Sequence, residues 1–312
     1  GQDGFYLTKF LLQKNYEVHG LVRRVALEDP DHRLWRIKSI LKNIKLHTGS
    51  LESYASIVKI VSKIKPSEIY HLAAQSYVAN SFQDDFSTMN SNINGTHFIL
   101  SAVKEFSPKS KFYFAASSEM FGKVREAPQN ENTPFYPRSP YGISKLCGFE
   151  LTRNYRESYN LFCCSGILFN HESPKRGYEF VTRKITLAVA RIKLGKQKKI
   201  TLGNINSKRD WGHAKDYVRA MWLILQQKKP SDFVVGTGKQ YSVKDFLKTA
   251  FKIAGLNYKK YLKIDKSYYR PADVENLISD SKKARRQLKW KPTVTFKELV
   301  QEMVLEDLKN TK

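Results

Sequence analysis

With 312 residues, 41% hydrophobic and 12% aromatic, the chain has enough apolar material for one large domain or two intimate ones, which excludes disorder over most of its length. No run of 18 apolar residues occurs, which excludes a helical membrane span. The three cysteines, with Cys163 and Cys164 adjacent, exclude a disulfide framework and suit a reduced, cytoplasmic protein. Fifty-four Lys plus Arg against 29 Asp plus Glu give a net charge of +25, but the cations are scattered singly or in pairs such as Lys198-Lys199, so a polyanionic small ligand is expected and neither nucleic acid nor membrane.

In chain order, Phe5, Leu7, Phe10, Leu11 and Leu12 have helical spacing over 5–15. A strand follows over 16–22, ending in Arg23-Arg24, then a helix over 32–42 and a short strand over 45–48. An amphipathic stretch over 52–64 carries Ile57, Val58, Ile60 and Val61, and leads to a strand over 68–73. A helix from about 85 to 106, a strand over 111–116, a helix over 140–159 and a near-continuous apolar strand over 162–169 complete this part. Such alternation predicts an α/β chain with a Rossmann-type doubly wound parallel sheet and helices on both faces. Beyond 171 the pattern is less regular, with Gly, Pro and Asn turns, two more short strands and a helix over 295–309. This reads as a smaller α/β substrate domain. The expected division is a dinucleotide-binding part, 1–170 with 205–237 returning to it, and a substrate part, 171–204 with 238–312. No CxxC or HxxxH spacing suggests a metal.

Gly1-Gln2-Asp3-Gly4, followed directly by a helix, reads as the end of a glycine-rich dinucleotide turn. There the backbone approaches a diphosphate that the helix N-terminus stabilises. The chain opens inside that motif, at Gly1, and its first Met is Met89, so an N-terminally incomplete chain lacking the first strand of the sheet is expected. Where a free 2′-hydroxyl would favour Asp or Glu, the second strand ends in Arg23-Arg24, which suits the 2′-phosphate of NADP. The small residues of His71-Leu72-Ala73-Ala74-Gln75-Ser76 would let a ligand lie against the backbone.

Tyr141 and Lys145 stand four apart at the start of a helix, on one face. A free Tyr has a pKa of about 10. A neighbouring ammonium, with the positive charge of a nicotinamide, lowers it and turns the phenol into a usable base. The preceding strand ends in Ala116-Ser117-Ser118-Glu119, and ligands of open α/β sheets bind beyond the carboxyl ends of strands. Hydroxyl, carboxylate, phenol and ammonium are therefore expected in one crevice.

These features, with the segments Ser118-Glu119-Met120-Phe121-Gly122-Lys123, Asn170-His171-Glu172-Ser173-Pro174, Lys208-Arg209-Asp210-Trp211-Gly212-His213 and Tyr268-Tyr269-Arg270-Pro271, resemble the extended short-chain dehydrogenase/reductases, and among them the GDP-mannose 4,6-dehydratases, over essentially the whole chain. The resemblance implies conversion of GDP-D-mannose to GDP-4-dehydro-6-deoxy-D-mannose and water, with NADP kept on the enzyme. Tyr141 would take the O4 proton, assisted by Lys145. Glu119 would remove the C5 proton and assist loss of the C6 hydroxyl, and Ser117 would bond the C4 oxygen. Cofactor contacts would come from Gly1, Gln2, Asp3, Arg23, Arg24, Leu51, Leu72, Ala74, Gln75, Ser76, Tyr141, Lys145, His171 and Arg176. The GDP part would fall to Asn170, Val181, Lys184, Leu202, Gly203, Asn204, Arg209, Arg270, Asp273 and Glu275. Relatives are homodimers or homotetramers.

Two other readings remain at this point. A nucleotide-sugar epimerase or reductase of the same fold would not need Glu119. A basic, non-catalytic RNA-binding Rossmann protein would need none of Ser117, Glu119, Tyr141 and Lys145.

Overall fold

The computed structural model describes residues 1–269, 274 and 276–311. Helix α1 (Gln2–Gln13) buries Phe5, Leu7 and Leu11, as their spacing requires. Strand β1 (His19–Val22) pairs in parallel with β2 (Lys45–Thr48), His19 opposite Lys45. The helix expected over 32–42 is instead a short turn, Pro30–Arg33, and a 3-10 turn, Lys38–Asn43. Of 32–42 only Leu34 is buried, so no apolar stripe holds a longer helix in place.

Helix α2 (Tyr54–Ile64) starts at Ser53, whose side chain accepts from the Ser56 amide, and strand β3 (Glu68–His71) follows. The long helix expected to 106 is present with a π-turn in its middle: Asp85–Met89, Asn90–Asn94, then α3 (Gly95–Phe106). Next come β4 (Lys111–Ser117), α4 (Pro140–Tyr159), β5 (Cys163–Leu168), β6 (His171–Glu172), α5 (Val181–Lys193), β7 (Ile200–Leu202), β8 (Lys208–Arg209) and β9 (Gly212–His213). The chain then runs through α6 (Ala214–Leu225), β10 (Phe233–Val235), β11 (Tyr241–Ser242), α7 (Val243–Ile253), β12 (Leu262–Ile264), α8 (Lys282–Gln287) and α9 (Phe296–Thr311).

The long parallel strands form the pair β1–β2 and a four-stranded sheet in the order β10-β5-β4-β3. Among the described residues no strand joins β1 to β3. The central sheet is covered on both faces, and the strand period of two sorts its residues. Tyr113, Ala115 and Cys164 pack with Leu7 and Leu11 of α1 and with Val218, Met221 and Ile224 of α6. Phe112, Phe114, Ala116, Cys163 and Ile167 pack on the other side with Leu100 and Val103 of α3 and Phe149 of α4.

A third core joins α5, α7 and α9 through Ile185, Val189, Phe246, Phe251, Leu299 and Met303. Inside it Arg183 pairs with Asp307 at 2.6 Å, and Thr186 donates to the same carboxylate at 2.6 Å. Part of the stretch expected in the substrate part lies on the central sheet instead. Leu277 joins the α3–α4 side, while Ala284, Leu288 and Trp290 join the α1–α6 side, where the Trp290 indole donates to the Asp216 carbonyl at 2.8 Å. Among the described residues no helix is long and apolar enough to cross a membrane.

Candidate active site

Beyond the carboxyl ends of β3, β4 and β5 lies a cleft of about 310 Å³. Asp3 enters it from the first turn of α1, and Leu72, Ala74 and Ser76 line it just past β3.

Ser117, the last residue of β4, and Glu119, two residues on, reach the cleft from one side, and Tyr141 and Lys145 reach it from α4. The local folding explains the convergence. Ser139 caps α4, its hydroxyl accepting from the Gly142 amide at 3.0 Å, and Pro140 occupies the first turn, so Tyr141 and Lys145 leave the helix on one face. The Ser117 hydroxyl accepts from the Glu119 amide at 3.2 Å, which turns the chain out of the strand. The Lys145 ammonium donates to the Ala115 carbonyl at 2.8 Å and lies 5.9 Å from the centre of the Tyr141 ring.

All four residues are screened from solvent to differing degrees, and Tyr141 and Lys145 titrate accordingly. Burial pushes the Tyr141 phenol up to about 12, with the Glu119 and Asp3 charges adding to the rise and the Ser117 hydrogen bond and Arg176 opposing it. Burial draws Lys145 down to about 8, partly offset by Asp3. The phenol is therefore neutral at pH 7 and the ammonium mostly charged.

His171 and Arg176 stand opposite α1. His171 bonds Asp3 at 2.9 Å, and Arg176 lies on the Phe180 ring at 3.5 Å with its guanidinium 3.1 Å from Glu172. Burial pushes Asp3 up, but the charge and hydrogen bond of His171, with Arg176, outweigh it and hold the carboxyl at about 2.

The far end of the cleft is lined by Asn170, Val181, Lys184, Leu202, Gly203, Asn204 and Arg209. Here a turn is fixed on the end of β7. The Asp265 amide donates to the Leu202 carbonyl at 2.9 Å, and the Tyr268 carbonyl comes so close to Gly203 that a Cβ there would stand 2.8 Å from it. Lys184 lies 5.1 Å from the Tyr268 ring, and Arg209 donates to the Val274 carbonyl at 2.7 Å. Arg270, Asp273 and Glu275 lie outside the described residues.

Other residues singled out by sequence do not line this cleft. Gln2 turns inward, donating to the His171 carbonyl at 3.0 Å, and Arg24 pairs with Glu28 at 3.1 Å on the surface. Arg23 is exposed, Leu51 packs over Gly95, and the Gln75 side chain bonds the Tyr77 backbone. Gly1 caps α1 just outside.

Two contributors escaped the sequence reading. Asn92, in the π-turn, accepts from the Gln75 amide at 2.9 Å and donates to Ser144 at 3.0 Å, fixing the loop after β3 to α4. Glu172 accepts from Thr182 at 2.6 Å while holding Arg176; its only signal was its place beside His171.

A dinucleotide fits this donor set. A helix N-terminus with Arg176 and His171 suits a diphosphate, and Tyr141 and Lys145 line the same cleft.

The family model described as GDP-mannose 4,6 dehydratase matches residues 1–303. The chain is 51% identical to GDP-mannose 4,6 dehydratase 1 of Arabidopsis thaliana, covering 100% of this chain and 88% of that protein. It is 47% identical to GDP-mannose 4,6 dehydratase of Homo sapiens, covering 99% and 89%. Among solved structures, a UDP-glucose 4-epimerase of Thermotoga maritima with UDP-glucose matches with a TM-score of 0.87 at 25% identity, covering 100% of this chain and 97% of that one.

Proposed function

The chain belongs to the GDP-mannose 4,6-dehydratase family, and from that premise we propose that it converts GDP-D-mannose to GDP-4-dehydro-6-deoxy-D-mannose and water through Ser117, Glu119, Tyr141 and Lys145. The observation that carries this reading is a carboxylate from the end of β4 and a phenol from α4 lining the same cleft.

Bound NADP supplies the hydride acceptor for C4 and the hydride donor for C6. Everything else falls to the chain. Ser117 holds the C4 oxygen, and Tyr141 takes its proton. The raised pKa of Tyr141 means that the phenol yields its own proton only when positive charge gathers beside it; Arg176 is the resident charge that lowers it, and the Lys145 ammonium, 5.9 Å from the ring centre, is held nearby to add to it. With a ketone at C4 the C5 hydrogen is acidic. Glu119 removes it and returns a proton to the C6 hydroxyl, which leaves as water. Reduction of the C5–C6 double bond then requires one proton at C5, which balances the proton taken from O4.

Lys184 and Arg209 bring positive charge to the end assigned to GDP, together with Asn170, Val181, Leu202, Gly203 and Asn204; Arg270, Asp273 and Glu275 belong to the same proposal. Asp3, Leu72, Ala74, Ser76, His171 and Arg176 serve the cofactor, with Gly1, Gln2, Arg23, Arg24, Leu51 and Gln75 at its margins. Residues 1–170 with 205–237 then form the NADP part, and 171–204 with 238–312 mainly the sugar-nucleotide part. A cytoplasmic homodimer or homotetramer is the setting we assign. The free thiols Cys147, Cys163 and Cys164 support the first point, and Tyr54, Phe106 and Tyr159, exposed around α2, α3 and α4, support the second.

Incubation with GDP-mannose, without added NADPH, should yield a sugar that has lost water. A product that keeps its 6-hydroxyl overturns the reading. Glu119→Gln should stall after C4 oxidation, leaving reduced cofactor absorbing on the protein; full turnover in that variant removes Glu119 from the mechanism.

A further inference from the structure

Both ring nitrogens of His171 are committed to acceptors. Nδ1 meets the Phe169 carbonyl at 2.8 Å and Nε2 meets the Asp3 carboxylate at 2.9 Å. A carbonyl oxygen and a carboxylate only accept, so both nitrogens must donate, and only the imidazolium does that. The ring cannot swing away, because it stacks on Tyr217 with centroids 4.4 Å apart. Its backbone is clasped as well. Gln2 donates to the His171 carbonyl at 3.0 Å and to Asp3 at 3.2 Å, and accepts from Ser173 at 2.7 Å.

We propose that Asp3 and His171 form a positioning dyad of the cofactor cleft, in which Asp3 keeps His171 as a fixed imidazolium so that it stands with Arg176 as a second cation for the diphosphate at the N-terminus of α1. This rests on the reading of the cleft as an NADP site. Asp3 acts through His171 and is not itself a catalytic residue.

A purely structural tie would not need the charge. Gln2 already links α1 to the start of β6 with neutral hydrogen bonds, and a buried ion pair is weak evidence for stability because both partners lose their hydration. What the charge adds is electrostatic, since Asp3, His171 and Arg176 all line the cleft. The groups facing the dyad are Asp3 on α1, Arg176 and its partner Glu172 beyond β5, neutral Tyr113 on β4, neutral Tyr217 on α6, and Tyr141 and Lys145 on α4, which feel the Asp3 charge. Glu119, Glu179, Lys184 and Arg209 line the remainder. Burial lowers the His171 pKa, but Asp3 and the Phe169 carbonyl outweigh it, and the value lies above the ordinary one. The cation is therefore present below that raised value and lost as pH rises through it. Anion binding should be strong on the acid side and weaken toward the alkaline side.

Two measurements on the whole chain test this without using turnover. With ¹³C-labelled histidine, the His171 resonance should titrate above the ordinary imidazole value of about 6.5, and in Asp3→Asn its midpoint should fall by about one pH unit or more. Second, the Kd for NADPH, read from its fluorescence, should rise about tenfold in the native chain as His171 deprotonates. His171→Gln should bind about tenfold more weakly at pH 6 and lack that rise. Lys145 also titrates in this range, so the ratio of the two Kd values isolates His171. A native His171 titrating at or below 6.5 overturns the proposal even if no variant folds, as does a His171→Gln profile parallel to the native one. No sugar enters these experiments, so absence of dehydration with the NADPH profile intact would defeat the proposed reaction and leave the dyad standing.

Discussion

Lys145 is buried with its ammonium on the Ala115 carbonyl, and its pKa falls to about 8. In the unfolded chain the value is about 10.4, so the folded state binds this proton more weakly and the charged group opposes folding at every pH below about 8. That opposition fades as pH climbs from about 8 and is gone above about 10.5. Its full size is on the order of 3 kcal/mol, from about 1.4 kcal/mol per pH unit. Lys145→Met should therefore lose turnover yet gain about 1–2 kcal/mol at pH 7, the remainder being offset by the acceptor left without its donor at Ala115. Thermal melts at pH 7 should rise by about 3 °C, and the gain should vanish above about pH 10. A Lys145→Met protein that melts below the native one at pH 7 contradicts this. The four catalytic candidates were legible in sequence because they sit at a strand end and at helical spacing four, both local patterns. The Asp3–His171 bond, which joins residues 168 apart, and the Asn92–Ser144 bond, which joins residues 52 apart, have no local signature.

Helix α4 shows the same distinction one level up. Its bounds, Pro140 to Tyr159, follow from a Ser139 cap, a proline in the first turn and Asn160 in the left-handed conformation at its end. Helices α5, α6 and α7 were not anticipated. Two of them carry polar residues inward and pair them with distant partners, Arg183 with Asp307, and Asp216 with Thr293 at 2.6 Å, which interrupts the apolar stripe that a sequence reading seeks. The failed helix over 32–42 is the reverse case, apolar residues in helical order with no core to receive them. What sequence could not give for α4 is how closely it approaches the sheet. A Cβ on Gly148 would stand 2.4 Å from the Phe114 ring, which is itself buried between β4 and the helix. Gly148→Ala should push α4 off the sheet at a cost of about 2 kcal/mol, and the urea midpoint should fall accordingly. Because Tyr141 and Lys145 ride on this helix, kcat should fall as well; an unchanged midpoint would show that the contact yields freely.

At the scale of the molecule, the alternation of strands and helices was enough to predict a parallel sheet covered on both faces, while the return of 277–290 to the central sheet depends on long-range packing. The charge of +25 was legible from composition alone. His171, Arg176, Lys184 and Arg209 line the cleft together with Asp3, Glu119, Glu172 and Glu179, so most of the surplus of +25 lies outside it, and both the proposed cofactor and the proposed substrate are polyanions that the field of this surplus attracts. Such a field raises the rate of encounter and is screened once the Debye length falls to a few ångströms. Raising NaCl from about 50 mM to about 500 mM should therefore lower kcat/KM for GDP-mannose by about tenfold through KM, while kcat, set within the cleft once cofactor and sugar are bound, stays within about twofold. Choline chloride should reproduce the effect and sucrose should not, which separates screening from viscosity and osmotic effects. If kcat falls and KM holds, the surplus charge acts on the chemistry rather than on the approach of the substrate. If neither changes, it serves neither.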